Sequence, residues 1–565
     1  MDAKHTPLTL AEACRLIVRL LKPEAGFVWT AVVYGIAVAL LGLATPVSVQ
    51  LLINSVANTA LPAPLFVLSG LLLGLLLAAA MLSAARVYVL ALFERRVFAR
   101  MVADITLRAL HARDPHFDDS CRSDLFNRFF DLMTVQKAVP QLLIGGFAIL
   151  LQSGIGLVLT SFYHPFLLAF NLVVAAVLLG VGLLWAGPAL RSGAALSHAK
   201  HETARWLQSI GSSNGFYKGG GRFSTALARS ETMTAAYVQA YRRHFRHTFA
   251  QTIGFLTVYA VASAALLAMG GWLILQGQLS LGQLVAAELV LSGAFYGISQ
   301  LGSHARTFYD LVAALHELSL FEGIEQTAGD GRTGPSPADG SLRLRDVEAD
   351  GCRFDFAVAR GEVLAVSADD EFERTITALL HRRLRPQRGW VMVGGSDITA
   401  FDPDELRSEI VVLDRPTLVE TSIRDYLSPI DGQSAAAVHD CLERVGLAER
   451  IRRLPSGLDT PLSATGSPLS TGEAIALKLA ALLLDPPKLV ILSALSDLLP
   501  PDRIAASLAS LGKAGTTVLH ATRHPPLPIH ADQIRLGPHG YVRAADHEDR
   551  LDQAILLERT HAVAA

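Results

Sequence analysis

The amino-acid sequence predicts two parts in one chain. The first is an α-helical membrane domain of six crossing helices with long cytoplasmic extensions; the second is an α/β domain with a largely parallel sheet. Three observations carry this. Only 18% of the 565 residues are charged, 51% are hydrophobic and the mean hydropathy is +0.37, whereas a soluble chain is nearer a quarter charged. The apolar residues gather in three long tracts before residue 306. Beyond Phe321 the composition changes, and strand and helix patterns alternate.

The tracts come first. From Ala25 to Ala85 there is no Asp, Glu, Lys or Arg; the same holds from Ala138 to Leu190, and from His247 to Ala305 the sole interruption is Glu288. Each exceeds the roughly 20 residues that cross a ~30 Å hydrocarbon core and suffices for two crossings. Each also has a polar or Pro-marked break near its middle: SVANTALPAP (55–64), SFYHP (161–165) and QGQLSLG (276–282). Three helical hairpins follow, with helices at about 26–54, 65–92, 138–160, 166–190, 250–275 and 281–304.

The three breaks carry no Lys or Arg, while Arg86 to Lys137 alone holds nine basic residues. The positive-inside rule therefore places both termini and two long loops in the cytoplasm of a bacterial inner (plasma) membrane. Residues 1–24 lack the pattern of a cleaved signal peptide, and 8–22 read as an interfacial helix. A net charge of −2, from 49 Lys+Arg against 51 Asp+Glu, gives no field to recruit nucleic acid. The four cysteines (Cys14, Cys121, Cys352, Cys441) are far apart and no His cluster has metal-ligand spacing, so no metal site is expected.

Segments 93–137 and 191–249 are too charged for lipid and too regular for loops, so helices 2 to 5 are expected to run well below the membrane. DPHFDDSCRSD (114–124) and SSNGFYKGGGRF (212–223) interrupt them. KGGGR is read as a turn, because no strand precedes it as a phosphate loop would require. The membrane domain thus spans 1–322, a linker rich in Gly, Ser, Thr and Pro spans 323–341, the α/β domain spans 342–545 and a tail spans 546–565. Strands are expected at EVLAVS (362–367), WVMVGG (390–395), EIVVLD (409–414), KLVILS (488–493) and TTVLHAT (516–522). Helices are expected near 373–384, 433–446, 472–485 and 502–513.

LPSGLDTPLSATGSPLSTGEAIALKLAALLLDPPKLVIL (454–492) resembles the stretch in which ATP-binding cassette (ABC) exporters carry a coupling loop, the LSGGQ signature, a helix and the Walker B strand. TSIRDYL (421–427) and GWVMVGGSDI (389–398) fall at the expected places. The chain as a whole resembles an exporter-type ABC half-transporter, a six-helix membrane domain fused to an ABC-ATPase-like domain.

The departures from that family carry the functional reading. A P-loop needs glycines whose N–H groups cradle phosphate, a Lys for the β/γ charge and a Ser/Thr for Mg²⁺. The corresponding residues run from Ser367 to Thr375: Asp369, Asp370 and Glu371 precede Glu373 at the Lys position, Arg374 and Thr375 follow, and no glycine remains. At an effective dielectric near 20, each carboxylate–phosphate contact at 4 Å costs on the order of 4 kcal/mol. The two Walker B carboxylates align with Ser493 and Ala494, the Gln-loop Gln with Asp414, and the switch His with Arg523, His524 lying one place on. The coupling-loop Glu aligns with Ala464, and no aromatic for adenine stands at 350–352. The resemblance therefore implies a pseudo-ATPase with no nucleotide or metal bound by its own site.

LSTGE (469–473) departs less, keeping Ser470 and Gly472 around the changed Thr471 and Glu473. In ABC dimers this signature faces ATP held by the other subunit. The expected function is the silent subunit of a heterodimeric exporter, forming half the translocation pathway and offering these four residues to Mg-ATP on a partner with intact Walker motifs. The alternative is an ATP-independent homodimeric scaffold or receptor. Glu288, the lone acid of the third tract, is a candidate pathway residue facing a watery cavity, or else an interfacial acid on a helix that starts later. The cargo is open among lipid, peptide, polypeptide and amphipathic small molecules.

Overall fold

The computed structural model describes residues 9–59, 63–112, 123–213, 215–278, 281–326, 336–367, 370–428, 434–524, 527–537 and 540–543. These belong to two compact units, Met1–Gln326 and Thr327–Ala565.

The first unit is helical. Helix α1 (Leu10–Leu21) opens on a capping box in which Thr9 and Glu12 satisfy each other's backbone N–H groups. The stretch read as one helix over 26–54 is two, α2 (Ala25–Gly42) and α3 (Ala44–Thr59), parted at Leu43. Pro46 is the cause: it has no N–H, and its ring meets the carbonyl of the residue four back, Gly42, where α2 stops. Helix α4 (Ala63–Leu110) has 48 residues, α7 (Pro165–Gly211) has 47 and α8 (Arg222–Leu275) has 54. At 1.5 Å per residue each is about twice the hydrocarbon thickness or more, as charged extensions require. The third crossing is interrupted: α5 (Asp131–Gln141) and α6 (Phe147–Ser161) are joined by a π-helical turn, Leu142–Gly146, beside Pro140 and the Gly145–Gly146 pair. Helix α9 is Leu281–Ser319.

Among the described residues five stretches are long and apolar enough to cross a membrane: Leu10–Leu52, Leu65–Leu110, Leu125–Ser161, Pro165–Gly211 and Arg222–Leu275. Helix α9, which carries the sixth crossing read from the sequence, is not among them. Most of DPHFDDSCRSD lies outside the described residues. KGGGR is a turn leading into α8, with Gly220 at φ +58°. Below the expected membrane level, buried acids tie the extensions together. Glu24 meets Arg96 at 2.9 Å and Arg100 at 3.1 Å, Asp131 meets Lys200 at 2.5 Å and His201 at 2.7 Å, and Glu317 pairs with Arg128.

The second unit has two sheets rather than one. Strands β3 (Val363–Ser367), β6 (Ile410–Leu413), β7 (Leu489–Leu492) and β8 (Thr517–Ala521) run parallel in the order β3-β8-β7-β6. Strand β9 (Asp532–Gly537) joins beside β3, with β10 (Gly540–Arg543) at the edge. The core strands β7 and β8 are buried throughout, the mark of a sheet covered on both faces. The WVMVGG strand, taken from the sequence as part of this sheet, is β4 (Arg388–Val393) of a separate antiparallel sheet, β2-β1-β4-β5. The reason lies in a hairpin the sequence reading passed over: β1 (Leu342–Ala349) and β2 (Cys352–Val358) pair across Asp350 (φ +51°) and Gly351 (φ +81°). Both central residues are left-handed, the two-residue turn that matches strand twist, and β1 then pairs β4 on its other edge. Strand β5 is Ser396–Asp397. The helices are α10 (Asp370–Leu380), α11 (Pro403–Glu409), α12 (Ile423–Leu427), α13 (Ala435–Arg444), α14 (Ala448–Arg452), α15 (Thr471–Leu484) and α16 (Pro501–Lys513). The tail 546–565 and much of the linker lie outside the described residues.

Candidate functional site

The carboxyl ends of the parallel strands gather most of the predicted positions, where open α/β sheets place ligands. Ser367 closes β3, Asp414 follows β6, Ser493 follows β7 and Arg523 follows β8. Backbone bonds fix the strand ends: Ser493 N donates to Leu413 O at 3.1 Å, and Thr522 N to Val366 O at 3.1 Å.

After β3 the chain enters α10 directly. Asp369 lies outside the described residues; Asp370 and Glu371 open the helix, Glu373 is half-buried and Arg374 exposed. Thr375 is 4% exposed and turned inward, its Oγ1 lying 4.0 Å from the Sγ of buried Cys352. Cys352 stands where an adenine-stacking aromatic would be sought.

The β7 end is committed to its own chain. Ser493 Oγ accepts from Leu495 N at 3.2 Å and caps the turn Ala494–Leu498. Behind it runs a buried chain of hydrogen bonds whose direction is set at one end. Leu527 N donates to His530 Nδ1 (2.8 Å), so His530 Nε2 carries the proton and donates to His520 Nδ1 (3.0 Å). His520 Nε2–H then donates to Ser496 Oγ (3.0 Å), whose hydroxyl donates to Ser493 O (2.7 Å). His520 must be neutral for this, and burial pushes its pKa down to about 4, against a smaller upward pull from Asp497. Asp497 clamps the end of β8: its carboxylate accepts from Thr522 Oγ1 at 2.8 Å and from Arg523 N at 2.9 Å.

Asp414 sits 3.9 Å from Arg415 Nε. Lys478 on α15 donates to Arg415 O at 2.7 Å, and burial lowers its pKa, partly offset by Asp414.

The signature residues begin α15. Ser470 Oγ accepts from Glu473 N at 3.3 Å while Glu473 Oε2 accepts from Ser470 N at 2.8 Å, a reciprocal capping box. Glu473 also meets Arg450 Nε at 3.2 Å. The helix end therefore already holds a carboxylate, that of Glu473. The N–H groups of Thr471 and Gly472 remain those an α-helix leaves without an intrahelical acceptor. Ser470 and Thr471 are exposed.

In the first unit, α9 begins at Leu281, so Glu288 stands about 10 Å along it at 1.5 Å per residue. It is half-buried; one oxygen accepts from Ser292 Oγ at 2.9 Å, and Oε2 has no hydrogen-bond partner among the described residues.

Residues 28–200 match the family model described as the ABC transporter transmembrane region. Among curated proteins the chain is similar to a toxin RTX-I translocation ATP-binding protein of Actinobacillus pleuropneumoniae, at 26% identity over 47% of this chain and 40% of that one. It is also similar to the ABC multidrug transporter mdr2 of Aspergillus fumigatus, at 24% identity over 84% of this chain and 62% of that one. A solved bacterial Atm1-family ABC exporter with ATP bound superposes with a TM-score of 0.79, covering 96% of this chain and 98% of that one at 17% identity. The chain has the ABC exporter fold.

The likeness to the solved exporter establishes the fold, and the chain spans about two fifths to three fifths of the length of these two curated relatives. The His520–His530–Ser496 chain and the Asp497 clamp were not found from the sequence. Histidines ten residues apart carry no local signal, because a strand and a turn bring them together.

Proposed function

We propose that this chain is the catalytically silent half of a heterodimeric ABC exporter in a bacterial inner membrane, with both termini in the cytoplasm. It forms half the translocation pathway and offers Ser470, Thr471, Gly472 and Glu473 to Mg-ATP bound by a partner with intact Walker motifs. The observation that carries this reading is the β7 end. Where two carboxylates would hold Mg²⁺ and position water, Ser493 and Ala494 stand, and the hydroxyl of Ser493 is spent on capping its own turn. The nearest acid along the chain, Asp497, is held by Thr522 and Arg523. With Glu373 in the place of the phosphate-neutralising Lys and no glycine from Ser367 to Thr375, these residues do not fit Mg-ATP held in the usual way. No catalytic step is therefore assigned to this chain.

A second reading, a homodimeric ATP-independent scaffold or receptor, draws support from Glu473, since a carboxylate at the α15 terminus opposes a second anion there. Purification from the native membrane separates the two. The heterodimer reading expects a stoichiometric second chain with intact Walker motifs and ATPase activity in the complex. A self-contained homodimer without turnover would overturn it.

A further inference from the structure

The buried charges of the first unit are matched, with one exception. Among the described residues, Glu24 meets Arg96 and Arg100, Asp131 meets Lys200 and His201, and Glu317 meets Arg128. Arg86 on α4 is 6% exposed and forms no ion pair with any of them. Its hydrogen bond from Nη2 to Ile144 O is long, at 3.4 Å, and its buried Nε and Nη1 have no partner among the described residues. Buried donors are normally satisfied, and a buried cation is normally met by a counter-charge. The group also lies at membrane depth. Arg86 stands six residues before the expected end of helix 2 at 92, and Ile144 six residues after the expected start of helix 3 at 138. Both place it about 9 Å into its crossing at 1.5 Å per residue. Val87 and Tyr88, next on α4, are exposed as on a lipid-facing surface.

The guanidinium turns inward, to the π-helical turn Leu142–Gly146 that interrupts the third crossing. Such turns recur at functional sites. His304 of α9 covers the same turn: a Cβ on Gly145 would lie 2.5 Å from its Cε1, and its buried Nδ1 has no partner among the described residues. Gly35 of α2 closes over the other side of the group. A Cβ there would stand 3.2 Å from Arg86 Nη1 and 3.6 Å from the ring of Phe147. Water could satisfy these N–H groups, but it would leave a positive charge uncompensated in a low-dielectric setting. An anion answers both needs, and the enclosure by Gly35, Phe147 and the turn suits a small ion rather than a lipid headgroup. We propose that Arg86 holds an inorganic anion of halide size against the π-helical turn, with Nε and Nη1 as donors and His304 Nδ1–H as a further donor in that tautomer. The ion ties α4 to the break in the third crossing. This site is separate from the nucleotide positions and does not depend on which subunit hydrolyses ATP.

The test is thermal unfolding of the full chain in detergent, with sodium bromide replacing sodium gluconate at constant ionic strength. A bound ion stabilises the folded state by mass action, so the midpoint should rise with bromide and saturate, by about 2 °C or more once bromide is roughly tenfold above its Kd. Arg86→Gln should abolish the rise. Arg86→Lys, a point charge without the planar fork, should keep it with an affinity several-fold weaker. A midpoint indifferent to bromide in the wild type overturns the site, and so does a rise that Arg86→Gln leaves unchanged. A rise produced by phosphatidylglycerol but not by bromide overturns the small ion. Where Arg86→Gln yields no folded protein, anomalous scattering from bromide-grown crystals of the wild type decides. A peak in contact with Arg86 Nε or Nη1 supports the inference, and no peak there overturns it.

Discussion

The start of α15 and the carboxyl edge of the parallel sheet hold their candidate site residues in different ways. At α15, Ser470 and Glu473 cap the helix end between them, while Ser470 and Thr471 stay exposed at its tip. At the strand ends, Ser493 Oγ caps its own turn and Arg523 N is held by Asp497. On the proposed reading, the α15 end serves another subunit and the strand ends serve only their own chain. If that explains the contrast, changes at α15 should act on catalysis and changes at the strand ends on stability.

The largest effect should come from Gly472→Asp. A Cβ at Gly472 would meet Leu498 O at 3.6 Å, an ordinary contact, so the variant is expected to fold and assemble. A carboxylate against a partner's γ-phosphate should lower the complex's ATPase activity roughly a hundredfold or more, the scale seen when one charge-stabilising donor is lost. Steady-state turnover of the assembled complex measures it; unchanged turnover would break the contrast at its functional end.

Next is the pH dependence of stability. His520 has a folded-state pKa near 4 and an ordinary value near 6.5 when unfolded. Between those values the unfolded chain binds the extra proton, so this contribution is complete above pH 6.5 and is lost as pH falls toward 4. From pH 6.5 to 5 the loss is on the order of 2 kcal/mol. Thermal unfolding of the full chain in detergent should show it, and His520→Gln should flatten that part of the profile. Parallel profiles for the two proteins would mean that the buried histidine chain does not hold the β7 end.

The order of elements was legible because each rests on a local pattern. Charge-free tracts gave the crossings, and continuous apolar runs gave β3, β6, β7 and β8. The alternation in LRLRDVEA and CRFDFAV, buried and exposed in turn, was equally present and marks an antiparallel hairpin. Taking WVMVGG as a parallel strand came from overlooking it. The candidate site was read as a set of missing groups, with Glu373 standing where the resemblance implies a Lys. What fills the gap was not legible. Asp497 reaches Thr522 and Arg523 from 25 and 26 residues away, a distance closed only when β7 and β8 pair. The Glu473 capping box, by contrast, is a three-residue pattern, S-x-x-E, and could have been read directly.

Asp497→Asn sharpens the stability side further. The variant keeps an acceptor but loses the charge that strengthens the bonds from Thr522 and Arg523 N, at a cost of about 1–2 kcal/mol. The thermal midpoint of the full chain should fall by a few degrees, while ATPase activity in the complex changes less than about twofold. A large loss of turnover with little change in midpoint would move Asp497 from structure to catalysis.

The smallest effect is expected at Glu373→Lys. The substitution restores the charge that a P-loop uses, yet the phosphate cradle is chiefly backbone N–H groups presented by glycines, and none stands between Ser367 and Thr375. Thr375 is packed against Cys352 in the core, and Ser493 and Ala494 supply no carboxylate for Mg²⁺. Reversing one charge by itself changes the local potential without creating a site. Calorimetry of the full chain with Mg-ATP should show no tight binding in either protein, and turnover of the complex should change by less than about twofold, as for a surface substitution. Micromolar affinity appearing with this single change would show that the strand ends still hold a nucleotide geometry waiting only for charge. The contrast between the two regions would then be one of degree.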